Sequence, residues 1–251
     1  MKNIDEVIDQ LAAIIADAGQ NKDPAGYFAA LYQKVTIKVK EGIGNGYFDD
    51  GPRMEKLDVA FAQRYIDAWR AYKSGSEMSL SWQKAFELSP QYWPIVLQHM
   101  LAGMNAHINL DLGVAAAEVS AGQKLDDLKD DFNRINEILS DLVHEVQDNL
   151  SAVWPFLKWI LKLTGKVDDY LVDFSMKLAR DGAWKFAGEY AAVGESGKLD
   201  CLRARDRRIR EIAEVVTNPG LIATVVLAVV RLTERGTVRQ KIGKLKFAPF
   251  V

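Results

Sequence analysis

His107 and Asp111 stand four residues apart in the segment "NAHINLD", the spacing that sets an imidazole and a carboxylate side by side on one helix. Such a pair supports two kinds of chemistry. A carboxylate that accepts a hydrogen bond from one imidazole nitrogen orients the ring and leaves the other nitrogen free as a general base. The same two groups can also hold a metal ion from one helix face. On an α-helix Asp111 lies about 40° around the axis from His107, with Met100, Gly103, Met104 and Val114 nearby, whereas Asn105 and Asn109 lie about 160° away. The asparagines therefore read as hydrogen-bonding groups that hold the helix among its neighbours. A purely structural reading of the His/Asp pair, as a buried hydrogen bond that specifies packing, stands beside the functional one.

Other charges sit on apolar faces and need partners. Asp131 borders the apolar seam between Leu128 and Ile135, so it is the acid of its cluster expected to reach the interior and to join His107 and Asp111 as a carboxylate ligand or orienting group. Arg180 shares a face with Asp173 and Trp184 and reads as an anion anchor, because a guanidinium there requires a carboxylate or an anionic ligand. Asp58 and Arg64 flank the Leu57, Phe61 and Tyr65 seam. An internal ion-pair network linking Asp58, Arg64, Asp111, Asp131, Asp173 and Arg180 competes with an anion-binding pocket lined by Arg180, Trp184, Asn105 and Arg64. His99 lies off the His107 face and could join only at a rim; His144, beside Glu145, reads as solvated.

Three patterns invite chemistry that their context does not support. Asp126, Asp127 and Asp130 spell the D-D-x-x-D of magnesium-dependent isoprenoid cyclases, but all three fall on the outer side of their helix, where acids complement the helix dipole. The glycines of "GIGNGYFDDGPR" lack the preceding strand and the spacing of a phosphate cradle. The five arginines of "RARDRRIRE" carry acids among them and no interleaved aromatics, which fits an exposed helix face rather than a nucleic-acid surface.

The elements that must position these residues are helical throughout. Apolar residues recur at helical spacing from Ile4 to Ile15, along Leu57 to Tyr72, and at positions 125, 128, 132, 135, 139, 142 and 146, a seam sustained over three heptads. Pro24 and Pro94 stand at helix starts. The helix from about 94 to 119 has no Lys- or Glu-rich face and is expected at the centre, surrounded by others. Helices near 152–164, 168–190, 201–216 and 220–235 bring the expected number to about nine. The tail "KIGKLKFAPFV" is expected to dock on the body, and "AAVGESGKLD" to be a surface loop. The expected architecture is all-α: one multi-helix bundle over residues 1–251 around a buried central helix.

Composition limits the partners. The net charge of -2 over 251 residues gives no electrostatic reason to expect nucleic acid. The one cysteine, Cys201, excludes an internal disulfide framework and a Cys-rich zinc site. The N-terminal segment has acids within its apolar pattern, unlike a signal peptide, and no apolar run reaches the roughly 18 residues of a membrane span. A reduced, cytoplasmic protein is expected.

The stretches "DDGPRMEKLDVAFAQRYIDAW", "HMLAGMNAHINLDLGVA", "DDFNRIN" and "ARDGAWKFA", in that order, resemble an uncharacterised bacterial family, domain-of-unknown-function family 5995, with N-A-H-I-N-x-D-L as its most specific motif. The resemblance implies a helical protein with that motif at its centre and brings no activity with it. The N-x-H-x-x-x-D spacing of Asn105, His107 and Asp111 is also similar to the D-x-H-x-x-x-H segment of helical zinc-dependent phospholipases C and S1/P1 nucleases. With three histidines in the chain, a trinuclear zinc site of that kind cannot be rebuilt.

These residues lead to an all-α enzyme acting on a small organic or phosphorylated molecule. His107 would be metal ligand or general base, and Asp111 and Asp131 carboxylate ligands or orienters, with Arg180 binding an anion. One nitrogen and several oxygens would suit Zn, Fe or Mn. Two alternatives remain: a metal-free acid/base enzyme of cyclase or isomerase type on a hydrophobic, natural-product-like substrate, and a non-catalytic helical binding or scaffold protein.

Overall fold

The structure is a computed structural model that describes residues 1–135, 137–138, 176–218 and 220–245. Among the described residues it contains ten α-helices and no strand. Helices α1 (Ile4–Asn21) and α2 (Gly26–Gly44) pack side by side, α1 starting where Asn3 accepts a hydrogen bond from the Glu6 amide. Asp50 caps α3 (Gly51–Ser74) in the same way, with Pro52 in its first turn and Gly75, at φ +69°, closing it. The short α4 (Leu80–Phe86) is capped from a distance: the amides of Leu80 and Ser81 donate to the Asp206 carboxylate.

The centre is a rod built of α5 (Val96–Ala106), a π-helical turn (His107–Asp111) and α6 (Leu112–Val119). From Ile95 to Ala117 every residue but Met104 is buried, so the expected central helix is present. It starts at Val96 rather than at Pro94 because Ile95 is extended, and its first amides are taken up by side chains: Ile95 N–H donates to Gln98, Val96 N–H to Glu234. Two glycines let neighbours approach the rod. A Cβ at Gly103 would stand 2.5 Å from Cγ of Phe28 on α2, and one at Gly113 would stand 2.7 Å from the Ala183 carbonyl.

A 3₁₀ turn (Leu125–Leu128) leads into helical residues 129–135, where Leu128 and Phe132 are buried and Asp126, Asp127 and Asp130 are exposed, as the seam requires. The continuation of that seam, the helix expected at 152–164, His144 and Asp173 lie outside the described residues. Then follow α7 (Met176–Ala192), α8 (Glu195–Thr217), α9 (Leu221–Thr233) and α10 (Val238–Leu245). One expectation is corrected here: the "AAVGESGKLD" stretch is mostly helical, since α8 begins at Glu195. The described part of the tail docks on the body as expected, through a helix that the sequence reading did not include, α10, whose Ile242 and Leu245 enter the core. No helix of the described residues is long and apolar enough to cross a membrane.

The buried apolar residues form two clusters. One gathers α1, most of α2 and α3, α4, α5 and the C-terminal helices; the other gathers the start of α3, α6, residues 128–132 and α7. Val35, Phe61 and Met104 touch both. On the central rod Ala106 belongs to the first cluster and Ile108 to the second, so His107 stands at their junction.

Candidate functional site

His107 and Asp111 are the first and last residues of the π-helical turn, where Leu112 N–H reaches back to the His107 carbonyl. Such wide turns insert one extra residue into a helix and recur at functional sites. The Asn109 carbonyl, within the turn, accepts from Nε of Arg205 on α8. His107 Nδ1 lies 3.1 Å from Asp111 Oδ2. The same oxygen accepts from Nε1 of Trp82 at 2.8 Å, and Oδ1 accepts from Nε of Arg64 at 2.9 Å. Three elements thus converge on one carboxylate: the rod, α4 through Trp82 and α3 through Arg64.

The electrostatics assign the protons. Burial alone would raise the Asp111 carboxyl, but the hydrogen bond from His107, the Arg64 charge and the Trp82 donor outweigh it and hold the group below the usual carboxylate range. Burial lowers the His107 imidazole, and this exceeds the opposing pull of Asp111. At neutral pH the arrangement is therefore an anionic Asp111 beside a neutral imidazole whose proton is on Nδ1. Nε2 of His107 is buried and has no hydrogen-bond partner among the described residues, and neither has Oη of Tyr65.

Aromatic rings enclose the imidazole. Phe61 stacks on it with centroids 3.6 Å apart and planes 7° from parallel, Tyr32 meets it edge-on at 4.5 Å, and Phe28, Tyr65 and Trp82 complete the surround. Phe61 and Arg64 are the partly exposed members of this group; His107 itself is only 2% exposed. Two surface hollows, one beside Met1 and Glu55 and one beside Asp17 and Trp69, do not reach it.

Asp58, two turns before Tyr65 on α3, is a second buried carboxyl. Its Oδ2 has no hydrogen-bond partner among the described residues, and its charge, like that of Asp111, acts on the Tyr32 hydroxyl. Burial, helped by the nearby charge of Glu55, pushes Asp58 up to about 8. An acid raised in the folded state keeps a proton that the unfolded chain gives up, so folding loses stability as pH rises between the ordinary carboxylate value of 3.8 and about 8. Urea midpoints measured at pH 5, 7 and 8.5 are expected to fall along that series, and Asp58→Asn is expected to flatten the fall.

The remaining sequence-derived candidates are placed elsewhere. Asp131 is buried, but its oxygens accept from the backbone amides of Asp49 and Asp50 and from Arg134, with Arg53 3.9 Å away. It holds the loop before α3 and is not brought to His107 and Asp111. Asn105 donates to the Ile209 carbonyl and accepts from Asn109, tying the rod to α8. Arg180 is buried on α7, where burial, against the attraction of Asp181, pushes it down to about 10; Trp184 packs against Phe132. His99 is buried edge-on to Tyr27, and burial pushes it down to about 3, so it stays neutral and does not join His107.

A metal would find few free donors at this carboxylate. Both oxygens of Asp111 and Nδ1 of His107 are engaged, Asp131 is spent on the α3 loop, and among the described residues no three His, Cys, Asp or Glu side chains converge. What the arrangement can do without new donors is take a proton at Nε2, with Asp111 stabilising the imidazolium so formed.

A family model described as "Family of unknown function (DUF5995)" matches residues 4–219. No curated protein and no solved structure matches the chain.

Proposed function

The chain belongs to the DUF5995 family, whose description states no activity, and on that premise we propose that it is an acid/base enzyme in which His107 moves a proton to or from a hydrophobic or aromatic small molecule. The observation that carries this reading is the unpartnered Nε2 of His107, buried against aromatic rings while Asp111 fixes the other nitrogen. A buried polar atom without a partner costs stability, and a ligand atom at that position would remove the cost.

In this reading Asp111 is a positioning residue. Held by Arg64 and Trp82, it selects the tautomer of His107 and offsets its positive charge after proton uptake. The rings of Phe28, Tyr32, Phe61, Tyr65 and Trp82 would contact an apolar ligand and exclude water. Entry requires Phe61 to swing off the imidazole, and its partial exposure makes it the ring best placed to do so. Arg64 would serve at the same edge of the site. A metal-assisted hydrolase would require the carboxylate to exchange its present partners for the ion.

A second reading, a helical scaffold in which the His/Asp pair only specifies packing, is favoured by the near-complete burial of His107. The discriminating experiment compares elemental content, folding and turnover of wild type, His107→Gln and Asp111→Asn on a panel of aromatic and polycyclic compounds with acidic C–H groups. The enzyme reading expects metal-free protein, folded variants and a loss of about 10²–10⁴-fold in wild-type turnover. Stoichiometric metal that disappears in both variants would support the hydrolase. Folded wild type that turns over none of the panel, with variants that only lose stability, would support the scaffold.

A further inference from the structure

Helix α9 is apolar on both sides. Val226, Leu227 and Val230 face the first core cluster, while Leu221, Val225, Val229 and Leu232 fall within about 80° of one another on the opposite side and are exposed, Leu221 by 81% and Leu232 by 68%. Other exposed apolar side chains lie near both ends of the helix. Arg231 donates from Nε to the Tyr92 carbonyl and lies over the Tyr92 ring at 4.7 Å, fixing the loop that carries Tyr92 and Trp93 beside the last turn of α9. Trp93 is 57% exposed. At the other end, Ile212 and Val215 are exposed near the end of α8.

The segment that carries the stripe is basic. From residue 203 to 245 the chain carries ten Lys and Arg against four Asp and Glu, although its total net charge is -2. Arg207, Arg208 and Arg210 on α8, and Arg235 and Arg239 after α9, are exposed. Exposed leucine and valine on one helical face, tyrosine and tryptophan at its end and arginines around it are the features of a helix that lies in a lipid interface. From Leu221 to Leu232 the stripe is about 17 Å long and one helix face wide. That offers a few hundred Å² at most, short of the roughly 800 Å² per partner of a stable protein interface. A bilayer needs no complementary shape and is the better fit. The C-terminal end of α9 is tied to the body: Glu234, directly after it, accepts from Arg231, Lys241 and the Val96 amide.

We propose that the outer face of α9, with Tyr92 and Trp93, docks this protein on the surface of an anionic membrane. This does not depend on the chemistry assigned to His107.

The test is flotation of the full chain with vesicles of phosphatidylcholine alone and of phosphatidylcholine with one third phosphatidylglycerol. Binding to the anionic vesicles is expected to exceed binding to the neutral ones at least tenfold and to weaken from 50 to 500 mM salt, because surface charges are screened. The double variant Leu221→Glu/Leu232→Glu changes exposed side chains only, so it is expected to keep the wild-type circular dichroism and urea midpoint and to lose at least tenfold in vesicle binding. Equal binding by the folded double variant, or no binding by wild type, would overturn the proposal. A wild type that ignores vesicles but doubles its mass with concentration, while the variant stays monomeric, would assign the stripe to a second copy instead.

Discussion

Replacing Asp111 with alanine is expected to lower the free energy of unfolding by about 3 kcal/mol, near the low end of the range for breaking a buried ion pair. The loss is large because three donors depend on this one carboxylate: His107 Nδ1, Trp82 Nε1 and Arg64 Nε. Trp82 is buried and has no route to water for its indole N–H. Arg64 keeps about a quarter of its side chain exposed and can turn outward, which limits the cost. Asp111→Asn separates stability from chemistry. It nearly preserves shape, so the urea midpoint is expected to drop by less than in the alanine variant. It removes the charge that fixes the tautomer of His107, so the Nδ1-protonated form should no longer dominate in ¹⁵N-resolved NMR spectra of the imidazole. A wild-type tautomer in the folded Asn variant would mean that Asp111 does not orient His107.

Glu234→Ala is expected to cost about 3–5 kcal/mol. Glu234 and Lys241 have side chains 1% and 4% exposed and form an ion pair that also holds Arg231 and caps the central rod through Val96. Removing the carboxylate leaves Lys241 charged, buried and unpaired. The double variant Glu234→Ala/Lys241→Met is expected to recover much of the loss, because it removes the stranded charge along with its partner. If the double variant is as unstable as the single one, the cost lies in the cap on α5 rather than in the buried lysine. Urea midpoints of the two variants against wild type decide this.

The parts of the molecule that were legible in sequence are those set by local spacing. Every helix read from periodicity within the described residues is present, because apolar recurrence at 3 and 4 residues reports which side of a helix must be covered. His107 and Asp111 were legible for the same reason: an i, i+4 pair needs no knowledge of the fold. Trp82 was not, since its bond to Asp111 joins α4 to the rod, and nothing in "SWQKAFEL" points to a carboxylate 29 residues later. Asp131 illustrates the converse limit. Its position beside the seam indicated burial correctly, but burial does not say which neighbour lies opposite, and the neighbour is the loop before α3. The π-helical turn was hidden because the rod is buried on all sides, so its sequence offers no polar face from which a shift of register could be read. The α10 helix was missed because eight residues with one cluster of basic groups resemble a tail.

The wide turn also makes the length of the central rod a working dimension. An α-helix running unbroken from Val96 to Val119 would need one residue fewer, and that residue sets the rotation of everything after it. Wound as plain α-helix with all its residues kept, the rod would turn α6 by about 100° about its axis. Gly113, the position that admits the Ala183 carbonyl, would then face elsewhere, and a bulkier neighbour would meet α7. Deletions along the rod are therefore unequal events: between residues 107 and 111 the loss of one residue closes the wide turn into plain α-helix and leaves α6 in register, whereas the same loss elsewhere re-indexes half of the interior.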